Sequence, residues 1–225
     1  MSSSTRVTGA AEANPRNGNS SGAATRAKLL RTAERLFAKN GIDGVSVRDI
    51  TGTAGANSAA VHYHFGSKQD LIAAILHRRL ESLGVRREQL LAELEADEQP
   101  ALRDVVVALL LPTVELSRDR RGGGHHYLGF LVAVGEHPTS MHLITDEVDP
   151  LTARYLSVLR RALPEVPHEV ILFRFGIAKD LMNRVLRQGA VREWLRRHAS
   201  DDEKVLFDQL VDFLVGALAA PSHSA

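Results

Sequence analysis

One stretch, from Asp43 to Asp70, constrains the fold of this chain more than any other. It contains two Ser-x-x-Asp signatures, Ser46 with Asp49 and Ser67 with Asp70. In each signature the serine hydroxyl can accept a hydrogen bond from a free backbone N–H of the first helical turn, and the carboxylate favours the positive end of the helix. The stretch therefore predicts two helix starts with little room between them.

The first of these helices must be short. Val47 and Ile50 fall at helical spacing, and the apolar pattern stops at Gly55. Asn57 can then cap a second short helix that runs to about His64. Two short helices joined by a glycine-containing turn form a helix-turn-helix, whose second helix can enter the major groove of DNA.

Amphipathic helices flank this unit on both sides. Residues from about Ala23 to Asn40 place apolar side chains on one helical face, and the glycine that follows is a typical stop signal. Residues 1–22 are rich in Ser, Gly, Asn, Thr and Ala, and they are expected to form a disordered tail. A long helix is expected to open at Ser67, reach about Ala96 and join the head to the rest of the chain.

The rest of the chain also favours helices. Further helices are expected to start at Pro100 and Pro138, because proline suits the first turn. The last two long helices, at about His168 to Arg187 and Asp202 to Ala219, carry more than one apolar face. The second face would be exposed in a monomer, so this pair is predicted to form a dimer interface. The residues assigned to that interface are Ile171, Phe175, Ala178, Met182, Leu210, Val211, Leu214, Val215 and Leu218.

These patterns predict an all-α fold with two domains. Residues 23–66 would form an N-terminal three-helix helix-turn-helix DNA-binding domain, and residues 67–225 a C-terminal helical ligand-binding and dimerisation domain, with 67–96 as the connecting helix. The 225 residues with 44% hydrophobic content are enough to bury a substantial core.

Composition narrows the function classes. The chain has no cysteine, which excludes disulfides and thiolate metal sites and fits a reducing cytoplasm. We expect neither a membrane span, since no run of 18 apolar residues occurs, nor a secretory signal, since an apolar leader segment is missing. Residues 1–70 carry nine Lys and Arg against five Asp and Glu, whereas the remainder carries 19 against 22. A basic head on a slightly acidic body suits a phosphate-binding partner.

A set of short motifs occurs in order between Thr25 and Leu76. They are A-x-x-L-F-x-x-x-G from Ala33 to Gly41, Arg48-Asp49-Ile50, Ala54-Gly55, and Tyr63-His64-Phe65 followed by Ser67-Lys68. With these motifs the segment resembles the DNA-binding domain of TetR/AcrR-family transcriptional regulators. The resemblance implies a homodimeric regulator, more often a repressor than an activator, that binds a near-palindromic double-stranded DNA operator. It also implies a small-molecule effector in the helical body, whose binding releases the DNA.

The second short helix supplies most of the expected DNA contacts. Asn57 and Ser58 can hydrogen-bond to base edges or phosphates, and alanine can touch a thymine methyl group, although Asn57 could equally act only as a cap. Arg48 could bind phosphate or pair with an acidic neighbour. Lys68 is expected to bind phosphate together with the free N–H groups of its helix start. The full set assigned to DNA is Ser46, Arg48, Asn57, Ser58, Ala59, Ala60, His62, Tyr63 and Lys68.

No motif identifies an effector pocket or a catalytic site. Position alone selects apolar residues of the body together with a few polar ones as pocket candidates. The adjacent His125 and His126 lack the i, i+4 spacing of metal ligands on a helix, so we interpret them as polar or pocket-lining residues. Neither G-x-S-x-G nor H-E-x-x-H occurs, so neither an enzyme nor a cofactor is predicted. The pocket candidates are Leu109, Thr113, Tyr127, Phe130, Phe173 and Asn183.

One alternative of a different class stays open. The second short helix is rich in alanine and offers few hydrogen-bonding groups. A helical ligand-binding or scaffold protein without sequence-specific DNA binding would also fit this pattern.

Overall fold

The computed structural model describes residues 16–119, 121–145, 150–186 and 190–221. Over these ranges the chain forms helices and no strand, which confirms the predicted all-α fold class. The elements are α1 (Arg16–Asn40), α2 (Val47–Ala54), α3 (Ala60–Phe65), α4 (Lys68–Ala96), α5 (Leu102–Arg118), a short 3-10 helix (Gly124–His126), α6 (Tyr127–Gly135), α7 (His142–Thr145), α8 (Pro150–Ala162), α9 (His168–Leu186), α10 (Ala190–His198) and α11 (Glu203–Ala219).

The first three helices and the start of α4 share one core. Phe37 of α1, Ile50 of α2, Val61 of α3 and Ile72 of α4 are fully buried there. Helix α1 begins at Arg16, before the predicted start at Ala23, so the expected tail was drawn too long. Low helix propensity in the Ser- and Gly-containing first turns is outweighed because the rest of the helix is anchored by packing. Residues 1–15 lie outside the described residues.

The turn of the helix-turn-helix has the predicted local chemistry. Ser46 caps α2 in a reciprocal capping box, in which the Asp49 N–H donates to the Ser46 hydroxyl at 3.2 Å and the Ser46 N–H donates to the Asp49 carboxylate at 2.8 Å. Helix α2 ends at Gly55, whose φ of 58° lies in the left-handed region that favours glycine. Ser67 caps α4 as predicted, accepting from the Asp70 N–H at 3.0 Å.

A second core holds the body together. It joins the C-terminal half of α4 to α5, α8, α9 and α11, and it includes Leu91, Leu110, Leu159 and Val211. No helix of the described ranges is long and apolar enough to cross a membrane.

Two predicted helix starts in the body need correction, and one helix was not predicted. Helix α5 begins at Leu102, after Pro100 rather than at it. The helix expected from Pro138 begins at His142 instead; α7 (His142–Thr145) and α8 (Pro150–Ala162) are described there, and residues 146–149 lie outside the described residues. Helix α10 was not predicted, since its nine residues are mostly polar or charged and lack a long apolar stripe.

Helix α6 belongs to the core of the head although it lies far along the chain. Its residues Tyr127, Phe130 and Val134 pack in the same cluster as α1. Gly129 makes this close approach possible, because a Cβ atom there would lie 3.1 Å from the Cβ atom of Ala38. The head therefore rests on both α4 and α6, and a movement of either helix must act on it.

Candidate nucleic-acid interface and ligand cavity

Helix α3 presents a small polar surface. Asn57, Ser58 and Ala59 are exposed and Ala60 is half-buried, whereas Val61 is fully buried and fixes the helix on the head. The Asn57 side-chain oxygen accepts from the Ala59 N–H at 2.9 Å, so it closes the turn before α3. The helix itself begins at Ala60 rather than directly after Asn57, which corrects the predicted start.

Two aromatic residues extend this surface toward the end of α3. The His62 Nδ1–H donates to the Gly66 carbonyl at 2.8 Å, which fixes the ring and leaves Nε2 for a contact outside the chain. Tyr63 is 84% exposed, and its ring stands edge-on to that of His64. An exposed tyrosine next to a helix that can enter a groove is well placed to donate to a phosphate.

Helix α2 contributes one free cation. Arg48 is exposed and forms no ion pair with any carboxylate of the described residues, so the alternative of a local ion pair has no support. The Ser46 hydroxyl is engaged with Asp49, and its hydrogen bonds lower the pKa of that carboxyl group. Ser46 therefore has a capping role in the free protein.

Lys68 faces the protein rather than solvent. Its Nζ donates to the Ile42 carbonyl at 2.7 Å and lies 5.7 Å from the centre of the Phe37 ring. The predicted phosphate contact would require this ammonium to leave both partners. The structure thus gives Lys68 a structural role, in which it ties the start of α4 to the loop before α2.

A buried ion pair joins α1 to α4. Glu34 is 1% exposed, and its carboxylate accepts from Arg79 Nε at 2.7 Å and from Arg79 Nη2 at 2.8 Å. Arg78 adds a third bond to the same carboxylate at 2.8 Å, and Arg79 also donates to the Gly122 carbonyl at 3.1 Å. The pair connects the head, the connecting helix and the glycine-rich loop after α5.

A second polar contact links the end of α6 to the head. His137 Nε2 lies 3.1 Å from the Asp43 carboxylate, and its Nδ1 lies 2.7 Å from the hydroxyl of the buried Ser140. Ser140 in turn donates to the side chain of Gln69 on α4 at 3.1 Å. Residues of the loop before α2, of α4 and of the turn after α6 thus meet in one network.

The body contains a cavity of about 250 Å³ between α4, α5, α6, α8 and α9. Four of the six pocket candidates, Leu109, Thr113, Tyr127 and Asn183, line this cavity. The other two pocket candidates, Phe130 and Phe173, do not line the cavity. Phe130 is fully buried in the head core, and Phe173 is 69% exposed on the opposite side of α9.

Two tyrosines beside this cavity are strongly desolvated. Burial raises the pKa of Tyr127 from 10.0 to about 12, against the opposing effect of Arg87. Burial likewise raises the pKa of Tyr155 to about 12, and its hydroxyl donates to the Ala108 carbonyl at 2.9 Å. Both side chains are therefore neutral over the physiological pH range. Arg87 was missed by sequence reasoning, because nothing in the local pattern distinguishes it from the neighbouring Arg86.

The predicted dimer residues lie mostly inside the subunit. Eight of the nine, all except the half-buried Val215, are buried in the body core. The exposed apolar face of α9 and α11 is instead formed by Leu172, Phe173, Ile177 and Phe213. The selection failed because both faces of these helices are apolar, and the spacing alone does not say which one packs inward.

His125 and His126 form a packed pair at the junction. Their ring centres are 3.8 Å apart, and burial, with His125, Arg35 and Arg79 adding to it, lowers the pKa of His126. Within the described ranges no group of three or more His, Asp or Glu residues is arranged to hold a metal ion.

Comparison with known proteins identifies the family. Residues 29–75 match the family model for bacterial regulatory proteins of the tetR family, and residues 107–217 match that for the tetracyclin repressor-like C-terminal domain. The chain belongs to the TetR family of transcriptional regulators. The first match covers the helix-turn-helix, and the second covers most of the body that contains the cavity.

Two relatives match this TetR-family protein over most of their length. It is 27% identical to the HTH-type transcriptional repressor KstR2 of Rhodococcus jostii over 93% of this chain and 98% of that protein. It is 28% identical to the HTH-type transcriptional regulator TtgR of Pseudomonas putida over 76% of this chain and 80% of that protein. The solved structure of NalD from Pseudomonas aeruginosa has a TM-score of 0.59 at 18% identity, covering 90% of this chain and all of that one. These matches make the protein a transcriptional regulator with repressors among its relatives.

Proposed function

We propose that this TetR-family protein is a homodimeric repressor that binds a near-palindromic operator and releases it when a small molecule occupies the cavity of the body. The observation that carries the proposal is the position of α4. This helix holds the head through Arg79 near its middle and lines the cavity through Arg87 about two turns further along. Acting on chromosomal DNA, such a repressor would work in the cytoplasm.

The proposed DNA-binding surface comprises α3 and the start of α2. Asn57 and Ser58 would reach base edges, while Arg48, His62 and Tyr63 would bind phosphates on either side of the groove. Because the exposed part of α3 is short and contains alanine, most of the affinity would come from phosphate contacts. Sequence selectivity would then rest on few base contacts and on the spacing of the two half-sites.

The proposed dimer interface is the exposed apolar face of α9 and α11. Leu172, Phe173, Ile177 and Phe213 are all exposed there, and large exposed apolar patches on single chains usually mark interfaces. Two subunits joined by a two-fold axis would bury the same patch from each side. The two heads would then face DNA at a fixed separation.

The proposed release mechanism follows from the same contacts. A ligand that binds α4, α5 and α9 together would favour one position of α4 over another. An effector shifts an equilibrium only by its difference in affinity for the two states. Because Glu34 and Lys68 tie α4 rigidly to the head, a shift of α4 would change the separation of the two recognition helices.

Footprinting on the promoter region next to the gene for this protein tests the DNA-binding part. We expect salt-sensitive, sequence-selective protection by the ligand-free protein. Arg48→Ala should reduce the salt slope of binding by about one unit per lost phosphate contact. The matched control is Arg160→Ala, which removes an equal charge from an exposed site on α8 and should leave the slope unchanged. Absence of selective protection at low salt would favour the alternative of a helical scaffold protein without sequence-specific DNA binding.

Sedimentation velocity tests the dimer. Phe213→Asp places a charge at the centre of the proposed interface and should yield monomers. Val85→Asp, at a residue of α4 that is also exposed and apolar, is the matched control and should remain dimeric. A dimeric Phe213→Asp variant would place the interface elsewhere.

A further inference from the structure

Two residues that line the cavity each carry a buried polar atom to which the described residues offer no hydrogen bond. Thr113 is 2% exposed and lines the cavity, and its hydroxyl oxygen makes no hydrogen bond. Arg87 lines the same cavity, and its Nε is buried and also lacks a hydrogen bond. A buried polar group without a partner costs about 1–3 kcal/mol, and more when it is charged. Two such groups on side chains that line the same cavity indicate a ligand that satisfies both once the side chains turn toward it.

Arg87 brings a positive charge to the wall of the cavity. No carboxylate among the described residues forms an ion pair with Arg87. The acidic residues that line the cavity, Asp180 and Glu136, are instead paired with Arg184, at 2.8 Å and 3.5 Å. Of the acidic residues described in the cavity lining, therefore, neither balances the charge of Arg87.

The remaining walls are mostly apolar. The Tyr155 hydroxyl is already used by the Ala108 carbonyl, so it does not compete for a ligand. The cavity volume of about 250 Å³ lies below the roughly 300–1,000 Å³ range of drug-sized ligands, which favours a small molecule. The apolar side chains lining it include Leu76, Leu109, Leu131, Val132, Phe175 and Met182.

We propose that the cavity takes a small amphipathic carboxylic acid, whose carboxylate accepts from Arg87 and Thr113 and whose apolar part packs among the leucines and Phe175. This inference rests on the proposed function, because it names the chemical class of the effector. A carboxylate matches the pair well, since a planar guanidinium and a hydroxyl can donate to its two oxygens. The ligand would bridge α4 and α5, the two helices that carry these donors.

Isothermal titration calorimetry on the full-length protein tests the class of ligand. The probes are octanoate and 3-phenylpropanoate, each compared with its primary amide, which has the same shape but no charge. We expect at least one acid to bind about tenfold more tightly than its amide, because a charge-assisted hydrogen bond is roughly twice as strong as a neutral one. Equal affinities for acid and amide, or no binding of either acid, would overturn the proposal.

Variants test whether Arg87 and Thr113 cause the preference for the acid over the amide. Arg87→Met should remove the acid preference while leaving the amide affinity within about twofold, and Arg87→Lys should retain part of it. Thr113→Val, which keeps the shape, should weaken acid binding about fivefold. Arg86→Met is the matched control, because Arg86 pairs with Glu115 outside the cavity and should not affect binding. An acid preference that survives Arg87→Met would refute the assignment. If Arg87→Met does not fold, Thr113→Val and the wild-type comparison decide.

Footprinting in the presence of the tighter-binding acid separates this inference from the proposed function. Selective DNA protection without acid binding would refute the ligand class alone. Acid binding without any DNA protection would refute the repressor and leave the ligand chemistry standing.

Discussion

Glu34→Gln should be among the most destabilising single changes in the head. The substitution keeps the shape of the side chain but removes its charge. Arg79 would then keep a full positive charge at 5% side-chain exposure, next to an amide group instead of a carboxylate. Gln also has one acceptor oxygen where Glu has two. Its amide NH₂ group, which is a donor, would therefore face the guanidinium N–H donors.

The size of the effect follows from the contacts that are lost. Glu34 accepts three charge-assisted hydrogen bonds, two from Arg79 and one from Arg78. Removing one partner of a buried ion pair costs about 3–5 kcal/mol, because the other charge stays buried without compensation. Arg78 is 30% exposed and can turn to water, so it adds little to the loss. We expect Glu34→Gln to lower the free energy of unfolding by about 3–5 kcal/mol.

Urea unfolding followed by circular dichroism, at one fixed protein concentration, measures this loss. Glu115→Gln is the matched control, because the Glu115–Arg86 pair is about two-fifths exposed at both ends and should change stability by less than about 1 kcal/mol. The double variant Glu34→Met with Arg79→Met should lose less than Glu34→Gln, since it leaves no unpaired buried charge. A Glu34→Gln loss no larger than that of the control would show that the pair is not buried in solution.

Three further predictions concern other contacts. Lys68→Met should lower the free energy of unfolding by about 1–2 kcal/mol, because it removes the hydrogen bond to the Ile42 carbonyl, and urea unfolding measures this loss. A flatter salt dependence of DNA binding in this variant would show instead that Lys68 contacts a phosphate. Ser46→Ala should cost about 1 kcal/mol at neutral pH. That difference should shrink as pH falls below 3.8, because the capped Asp49 has a lowered pKa and its stabilising contribution is lost on protonation, as acid titrations of both proteins would show. Tyr127 and Tyr155 have a pKa raised from 10.0 to about 12, so their contribution to stability is present below pH 10 and is lost as pH rises toward 12. In a pH titration followed by tyrosinate absorbance, the protein should show a phase near pH 12 that the double Tyr→Phe variant lacks.

Sequence reasoning succeeded where interactions are local. The caps at Ser46 and Ser67 lie three residues from their partners, and the left-handed end of α2 needs a glycine at position 55. Such contacts are determined by residue type and spacing alone, so they can be predicted without the rest of the chain. The helix-turn-helix and the all-α fold class follow from them together with the apolar periodicity.

Only the tertiary structure decided which side chains face inward. Lys68 was expected on DNA, yet it holds a carbonyl 26 residues away, and Glu34 pairs with a residue 45 positions along the chain. Most of the dimer residues chosen from periodicity are buried in the body core, because the two apolar faces of α9 and α11 look alike until one is packed against α5. The lack of a hydrogen bond to Arg87 Nε is likewise a property of the tertiary structure, because it depends on which side chains the fold brings close. The local sequence determined that a DNA-binding head forms, and long-range packing determined which groups are left free to bind a second subunit or a ligand.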